Sequence, residues 1–339
     1  MSAPVFGVCG VPKSLGEERD YDKIFRAFNA AGVSMFFATF QFQEVPTGLS
    51  LGFETDFLPP CKATAKAFVA LKAHGIKLIV PGELLYAREG ELPPLAEDPL
   101  RQLLACTGDD GIYGVLTYDE PSHTGATDAQ LKRLYDRVKM IKEGLPVLMV
   151  HAPLTADQSP AEQSEYMTLV AKQSTLADIV GFDVYAVPRS VANMPSADGT
   201  FSDNPAETVA SYVAWMKQAA PTKQHLIVLQ GHSIANLYSA EERMRVPREI
   251  VDRVRPPSKQ ETQDMTRRAL DGGATVVVWW GPSFVPRDTM EPWCSILGTV
   301  AEQTNNSFSR TCVANSDSAS STTSLQFTLA LLLLLLLQL

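Results

Sequence analysis

Residues 114–151 read GVLTYDEPSHTGATDAQLKRLYDRVKMIKEGLPVLMVH, and this stretch decides the fold. A short apolar strand pattern is followed by a helical pattern and then by a second apolar run. Apolar residues of the helical part recur three or four positions apart on one face, at Leu131, Leu134, Val138 and Ile141. Thr127 and Gln130 predict a capping box before this face, and Gly144 predicts the helix end. The stretch is therefore a strand–helix–strand unit, which is typical of parallel sheets.

The same unit recurs along the chain. Short apolar runs rich in β-branched or aromatic residues predict eight strands, at 5–9, 33–40, 76–80, 113–118, 147–151, 179–185, 226–230 and 275–280. Ser258 and Glu261 predict another capping box before a later helix. Strict alternation of eight strands and helices predicts a single (β/α)8 TIM barrel over residues 1–304. An open, doubly wound sheet is the alternative, and no GxGxxG or Walker loop supports it, so no cofactor is expected.

The composition of the chain limits the classes of binding partner that are expected. The chain has 339 residues and a net charge of −9, with acidic residues spread along its length. This balance gives no reason to expect nucleic acid as a partner, and it is compatible with a neutral ligand such as a glycan.

The five cysteines form no CxxC or Cys/His ligand pattern, so a structural zinc site is not expected. Cys294 and Cys312 lie close in sequence and predict a disulfide in an oxidising compartment. The alternative is that all five are buried thiols.

Loop lengths indicate a functional face. Helix-to-strand joints are short, whereas strand-to-helix joints are long, notably at 41–60, 187–205 and 231–257. In a barrel these long loops emerge at the carboxyl ends of the strands, where barrel active sites lie. Polar and aromatic residues follow the strands at this face: Gln41, Gln43, Glu83, Asp119, Glu120, His151, Asp183, Tyr185, Gln230, His232, Trp279 and Trp280.

Asp119 and Glu120 are the leading candidates for a catalytic role. Carboxylates at the end of a buried strand raise the free energy of the folded state unless they are hydrogen-bonded, so an unpaired one indicates a role in catalysis or binding. Because successive strand residues point in opposite directions, we expect only one of the two to face the pocket. The functional interpretation is that Glu120 is a proton donor, whose pKa its neighbours Tyr118 and Asp119 raise by hydrogen bonding or by charge. The structural alternative is a pair of rim carboxylates bound to Arg or loop amides.

Several motifs carry a resemblance to a known group. They are YDEP at 118–121, GFDVY at 181–185, VLQG at 228–231, GGA at 272–274 and VWWG at 278–281. Together they resemble clan A glycoside hydrolases and uncharacterised glycosidase-like barrels with a YDEP motif, over about residues 5–300. The resemblance implies a (β/α)8 barrel that hydrolyses O-glycosidic bonds, with Glu120 as the general acid.

One position departs from that pattern. In clan A enzymes the strand-7 residue is a nucleophilic glutamate, whereas this chain has Gln230. An amide cannot form the glycosyl-enzyme ester. Asp183 or Glu83 is then expected to supply the second carboxylate, and its separation from Glu120 would decide between retaining and inverting chemistry. The alternative is a non-catalytic carbohydrate-binding surface protein.

The remaining candidates are expected to bind substrate. Trp279 or Trp280 can stack on a sugar ring, and the other is expected to pack between barrel and helices. His151 and His232 either contact sugar hydroxyls or are ordinary polar rim residues. The histidines show no HxH or HExxH spacing, so no metal is expected.

The C-terminus has an unusual composition. A polar segment at 305–324 precedes an apolar tail at 325–339 that includes seven consecutive leucines. Small residues, a polar spacer and a terminal apolar stretch are the layout of a GPI-anchor signal. A tail-anchoring helix is the alternative. Either predicts attachment to a membrane at the cell surface.

The N-terminus does not match this prediction. Residues 1–10 have neither the basic segment nor the apolar segment of a secretory signal. Either an upstream segment is missing from the sequence or the tail is not an anchor signal. A glycosylation sequon at Asn305 favours secretion.

Overall fold

The computed structural model describes residues 3–10, 20–45, 48–53, 55–187, 194–232, 255–281 and 291–306, with the backbone alone for 39–45, 48–53, 55 and 291–292. The strands are β1 (Val5–Cys9), β2 (Met35–Phe37), β3 (Thr39–Val45), β4 (Gly48–Phe53), β5 (Lys77–Pro81), β6 (Ile112–Leu116), β7 (Val147–His151), β8 (Ile179–Val184), β9 (Gln224–Gln230) and β10 (Val276–Trp280). Eight of them form a closed parallel barrel in the order β1-β10-β9-β8-β7-β6-β5-β2. β1 pairs in parallel with β10, from Val5 opposite Val276 to Cys9 opposite Trp280. The predicted (β/α)8 barrel is confirmed, and the open sheet is wrong.

Helices cover the outside of the barrel. They are α1 (Tyr21–Ala31), α2 (Lys66–Ala73), α3 (Gly82–Leu85), α4 (Pro99–Thr107), α5 (Pro121–Thr124), α6 (Asp128–Ile141), α7 (Pro160–Ser174), α8 (Pro205–Ala219), α9 (Lys259–Gly272) and α10 (Glu291–Thr304). The capping boxes predicted at Thr127 and Ser258 are both present. The predicted end at Gly144 is wrong, because α6 is already capped by Lys142 in an extended conformation.

Alternate strand residues fill two separate cores. One set points inside the barrel and forms a compact cluster of Cys9, Met35, Phe37, Ile79, Leu148, Ile179, Leu226, Val228, Val276 and Val278. Their strand neighbours, such as Phe6 and Val8, point outward and pack against the helices. This parity decides which residues at the carboxyl ends of the strands reach the barrel mouth.

The second predicted strand is shorter than expected, because its apolar run divides between two structures. Met35–Phe37 pairs with the barrel, and β3 and β4 then form an antiparallel hairpin inside the segment predicted to be a loop. The alternating pattern of β3 is typical of such a hairpin.

The cysteines pair in a way that sequence spacing does not reveal. Cys61 and Cys106 form a disulfide, with their Cα atoms 6.2 Å apart, so the five-thiol alternative is wrong. Cys294 also takes part in a disulfide, and its predicted partner Cys312 lies outside the described residues. Cys9 is a buried free thiol.

The predicted linker and tail, apart from residues 305 and 306, lie outside the described residues. Within those that are described, no helix is long and apolar enough to cross a bilayer.

Candidate active site

The candidate site begins where β6 ends. The strand stops at Leu116, and Glu120 adopts a left-handed backbone conformation, with φ 40° and ψ 59°. This conformation costs a residue with a side chain about 1–2 kcal/mol. Non-glycine residues held in this way concentrate at functional sites.

Several hydrogen bonds impose that conformation. The Glu120 carbonyl accepts bonds from the backbone N–H groups of His123 and Thr124, each at 2.9 Å. The Thr124 hydroxyl donates to the Asp119 carbonyl at 2.8 Å, and Arg88 donates to the Thr124 carbonyl at 3.2 Å. Since β6 ends before Asp119, strand alternation does not reach this pair. Which of the two carboxylates faces the site therefore stays a prediction, and the charges of both raise the pKa of Asp183.

Asp183 is the buried member of the site. It lies on β8 between Ile179 and Tyr185, two residues that pack with the barrel interior, and its side chain is 5% exposed. Its Oδ1 receives no hydrogen bond from the described residues. Burial, the charge of Glu120 and a hydrogen bond with the Glu120 carboxyl, with a further contribution from Asp119, raise its pKa well above the usual range. The carboxyl group of Asp183 therefore keeps its proton more readily than an ordinary aspartate does.

Gly181 makes room beneath Asp183. A Cβ atom at this position would lie 1.8 Å from the Leu226 carbonyl oxygen of β9. Glycine is therefore required for the close approach of β8 and β9.

Asp119 is the accessible member of the site. Asp119 is exposed to solvent. Protein atoms nevertheless surround its carboxyl group closely enough to remove part of the water that would stabilise its charged form. This desolvation, followed by repulsion from Glu120 and Glu83, raises the pKa of Asp119 to about 7, and Arg88 opposes the shift. Asp119 can therefore exchange a proton near neutral pH.

Glu83 and Arg88 flank the carboxyl group of Asp119. Glu83 belongs to α3, directly after β5, and its carboxylate lies 3.9 Å from the Arg88 guanidinium. Arg88 also lies over the Tyr118 ring, 5.1 Å from its centroid. Tyr118 is 1% exposed and packs with the outer core, so it supports Arg88 and is not open to a ligand.

Three rings line the barrel mouth beside the carboxyl groups. Tyr185 stacks on Trp280 with centroids 5.4 Å apart, and both rings are partly exposed. His232 meets Trp280 edge-on at 4.8 Å, and burial lowers the His232 pKa to about 4. The ring is therefore neutral at physiological pH. The Tyr185–Trp280 pair is a surface on which a sugar ring can stack.

Two residues expected at the site lie elsewhere. Trp279 is fully buried and stacks on Phe6 in the outer core, so it is the tryptophan between barrel and helices. His151 is also fully buried and faces the helices, with Ser122 and Ser174 as hydrogen-bond partners of its ring nitrogens. This position does not fit a contact with a sugar.

Gln230 is buried and fully hydrogen-bonded. Its amide oxygen accepts a bond from the Val187 N–H, and its amide nitrogen donates to the carbonyls of Val187, His232 and Arg255, all at 3.0 Å. It joins the backbone segments that follow β8 and β9. The residue at the clan A nucleophile position is therefore part of the framework.

Two residues near the site were not identified from the sequence. Ser122 and Gln173 hydrogen-bond beneath the turn that carries Glu120. Gln173 lies on α7, and only the three-dimensional fold reveals the contact. Gln41 and Gln43 lie on β3, where the side chains are not described. Within the described parts of the chain, no group of His, Cys, Asp or Glu side chains is arranged to hold a metal ion.

Sequence comparisons identify no relative: no protein-family model matches the chain, and no curated protein matches it. Solved structures with a similar fold do exist. A putative alpha-L-fucosidase from Bacteroides thetaiotaomicron superposes with a TM-score of 0.52 and 12% identity, over 90% of this chain and 94% of that chain. The spore cortex-lytic enzyme SleL from Bacillus cereus gives a TM-score of 0.51 and 13% identity, over 89% and 74%. Active domain 2 of a chitinase from Pyrococcus furiosus gives 0.51 and 10%, over 90% and 96%. The chain thus has the barrel fold found in glycoside hydrolases.

Proposed function

We propose that this chain is a glycoside hydrolase-like enzyme that cleaves O-glycosidic bonds, with Glu120 as the general acid. The observation that carries the proposal is the contact of Glu120 with the buried Asp183 at the carboxyl end of a closed barrel. Active sites of such barrels lie at this end.

The Glu120–Asp183 pair supplies the proton. A glycosidic leaving group must be protonated, and the raised pKa of Asp183 keeps a proton beside Glu120 that can be passed to it. Glu120 is the more accessible of the two, because it is partly exposed whereas Asp183 is buried. Glu120 therefore donates, and Asp183 holds the proton in place before transfer.

Asp119 is the second catalytic carboxylate in this proposal. Asp183 is hydrogen-bonded to Glu120, whereas the two carboxyl groups of retaining enzymes stand about 5–5.5 Å apart with the reacting bond between them. Gln230 is committed to the framework. Asp119 is exposed beside Glu120, and its pKa of about 7 suits a group that gains and loses a proton. We assign it to the activation of water or the stabilisation of positive charge on the sugar.

The substrate of the proposal is a carbohydrate held against Tyr185 and Trp280. Their partly exposed stacked rings lie beside the carboxyl groups and offer apolar faces to the C–H groups of a sugar. Glu83 and His232 complete the polar surroundings, where they can bind hydroxyl groups.

A non-catalytic carbohydrate-binding protein is the second candidate. It is favoured by Gln230, whose hydrogen bonds leave no nucleophile at the position where clan A enzymes carry one. In this case the ring pair and carboxyl groups bind a glycan without cleaving it.

Display at the cell surface is part of the proposal. The Cys61–Cys106 disulfide favours an oxidising compartment, and the apolar segment at 325–339 has the layout of a GPI-anchor signal. A chain expressed behind a secretory signal is expected to leave intact cells on treatment with a phosphatidylinositol-specific phospholipase. Full retention of a tail-containing protein would rule out the anchor.

The test of catalysis compares native protein with Glu120→Gln on a panel of aryl glycosides and oligosaccharides. We expect the variant to fold and to bind sugar, as measured by calorimetry, while turnover falls by about 100-fold or more. Glu89→Gln, at an exposed glutamate, is the matched control and should keep native turnover. Binding without cleavage by the native protein supports the second candidate, whereas equal turnover in Glu120→Gln refutes the assignment of the acid.

A further inference from the structure

The short helix α5, which directly follows Glu120, is tied to two other elements by buried side chains. The Ser122 hydroxyl donates to the Gln173 Oε1 of α7 at 2.7 Å, and its oxygen lies 2.8 Å from the His151 Nδ1 of β7. The Gln173 amide donates to the Ala126 carbonyl at 2.9 Å. Gln173 therefore holds the turn at two points, within α5 at Ser122 and just after α5 at Ala126. We call Ser122, His151 and Gln173 the clamp.

One protonation arrangement satisfies every member of the clamp. Ser122 has a single proton, which goes to Gln173, so its lone pairs accept the proton on His151 Nδ1. The other ring nitrogen then accepts from the Ser174 hydroxyl, 3.1 Å away, whose proton is shared with the Val170 carbonyl at 2.8 Å. Burial lowers the His151 pKa to about 3, so the ring remains neutral. A neutral, fully bonded network at 0% exposure of His151 and 2% of Gln173 is rigid.

The clamp and Arg88 hold the same turn from different elements. Arg88 holds Thr124 from the segment after β5, with bonds of 3.2 Å to the Thr124 carbonyl and hydroxyl. The clamp holds Ser122 and Ala126 from β7 and α7. Glu120 lies just before this doubly held turn, and its left-handed backbone is unfavourable without such support.

We propose that the clamp is a positioning device, which imposes the left-handed backbone of Glu120 and thereby keeps its carboxyl group against Asp183. Ser122, His151 and Gln173 touch no substrate and act only through Glu120. This inference rests on the proposed function for its catalytic consequence. The geometric consequence, contact between the two carboxyl groups, is measurable without any substrate.

Two variants test the clamp. Gln173→Met keeps the length of the side chain and removes both of its hydrogen bonds, and Ser122→Ala removes one hydroxyl and decides the outcome if the first variant does not fold. Gln163→Met is the control, since it makes the same change on the same helix, where the Gln163 amide bonds locally to the Gln158 carbonyl.

The first readout is the titration of the Asp183 carboxyl, followed by carbon-13 NMR. Groups that interact with Asp183 are Glu120 and Asp119 after β6, Tyr185 directly after β8, Tyr166 from α7 and Tyr212 from α8. When Glu120 moves away, the titration midpoint of Asp183 should fall by about one pH unit or more in both clamp variants. It should stay unchanged in Gln163→Met.

The second readout is the split between kcat and KM on a substrate that the native protein cleaves. Clamp variants should lose about 10-fold to 100-fold in kcat, with KM within about twofold of native, because a misplaced acid affects the chemical step. Native titration and native kcat in both variants, with only a lower melting temperature, would overturn the proposal. If the native protein cleaves no glycan, the proposed function fails, and the titration of Asp183 still decides whether the clamp positions Glu120.

Discussion

Asp98 and Asp183 are both buried aspartates, but their surroundings are opposite. Asp98 is 0% exposed and accepts hydrogen bonds from the Tyr86 hydroxyl at 2.8 Å, the Leu100 N–H at 2.9 Å and the Arg137 Nε at 2.6 Å. Asp183 is 5% exposed, its Oδ1 receives no bond from the described residues, and the charges that act on it are carboxylates.

The difference distinguishes Asp98, which stabilises the fold, from Asp183, which we propose takes part in catalysis. Asp98 and Arg137 compensate each other's charge and secure the start of α4, so they stabilise the fold. Asp183 is placed where it raises the free energy of the folded state. A buried carboxyl with one oxygen unpaired among the described residues and with other carboxyl groups beside it requires an explanation. The proton transfer that we propose at the barrel mouth provides that explanation.

The largest effect on stability should come from Asp98→Ala. This change leaves the Arg137 guanidinium, in a residue 8% exposed, without its carboxylate. The free energy of unfolding should fall by about 3–5 kcal/mol, as when one partner of a buried ion pair is removed. Urea denaturation measures it, and Asp136→Ala, which breaks an exposed pair with Lys132, should cost less than about 1 kcal/mol. Equal losses in the two variants would show that Asp98 is not a framework group.

The next prediction concerns Gln230, which, like Asp98, we assign to the framework of the fold. In Gln230→Glu a carboxylate replaces the amide that donates to three carbonyls, so the folded state should lose about 1–3 kcal/mol. Turnover should not rise, although the variant restores the clan A residue. Gln224→Glu, at the exposed start of the same strand, is the control. Stable protein with increased glycosidase turnover would contradict the framework role.

A smaller effect should appear in the pH dependence of stability at Asp119. Its pKa is about 7 in the folded protein and 3.8 as the reference value, so between these values the folded state binds the proton more tightly than the unfolded state. The contribution of Asp119 to stability is therefore fully present below about pH 4 and is lost as the pH rises to about 7. Asp119→Asn should remove this decline, and a difference from native protein that is flat across the pH range would refute the shift. Asp136→Asn is the control.

Much of the fold could be predicted from the sequence because strands buried on both faces are continuous apolar runs. The run at 147–151 coincides with β7. The run at 33–40 does not coincide with one strand, because the chain leaves the barrel after Phe37 and begins a hairpin at Thr39. Local patterns do not record where a strand changes partner.

The site was only partly predictable for the same reason. The loop lengths indicate the carboxyl ends of the strands as the functional face, and the YDEP motif at 118–121 indicates the end of β6. Strand parity distinguishes Trp280 from Trp279 and places His151 outside the barrel, because Leu148 points inward and His151 has the opposite parity. The Cys61–Cys106 disulfide and the Gln173 contact join segments 45 and 51 residues apart and have no local signal.

The most direct test of the account is the stability and turnover of Asp183→Asn measured on the same samples. The change removes a buried carboxyl beside Glu120 and Asp119, so the variant should be more stable than native protein at pH 7, by about 0.5–2 kcal/mol. Its advantage should shrink as the pH falls below the reference pKa of 3.8, where the native carboxyl is protonated in both the folded and the unfolded state. Turnover should fall by about 10-fold or more, while Asp98→Asn should lose stability. An Asp183→Asn protein that is less stable than native and equally active would contradict the account.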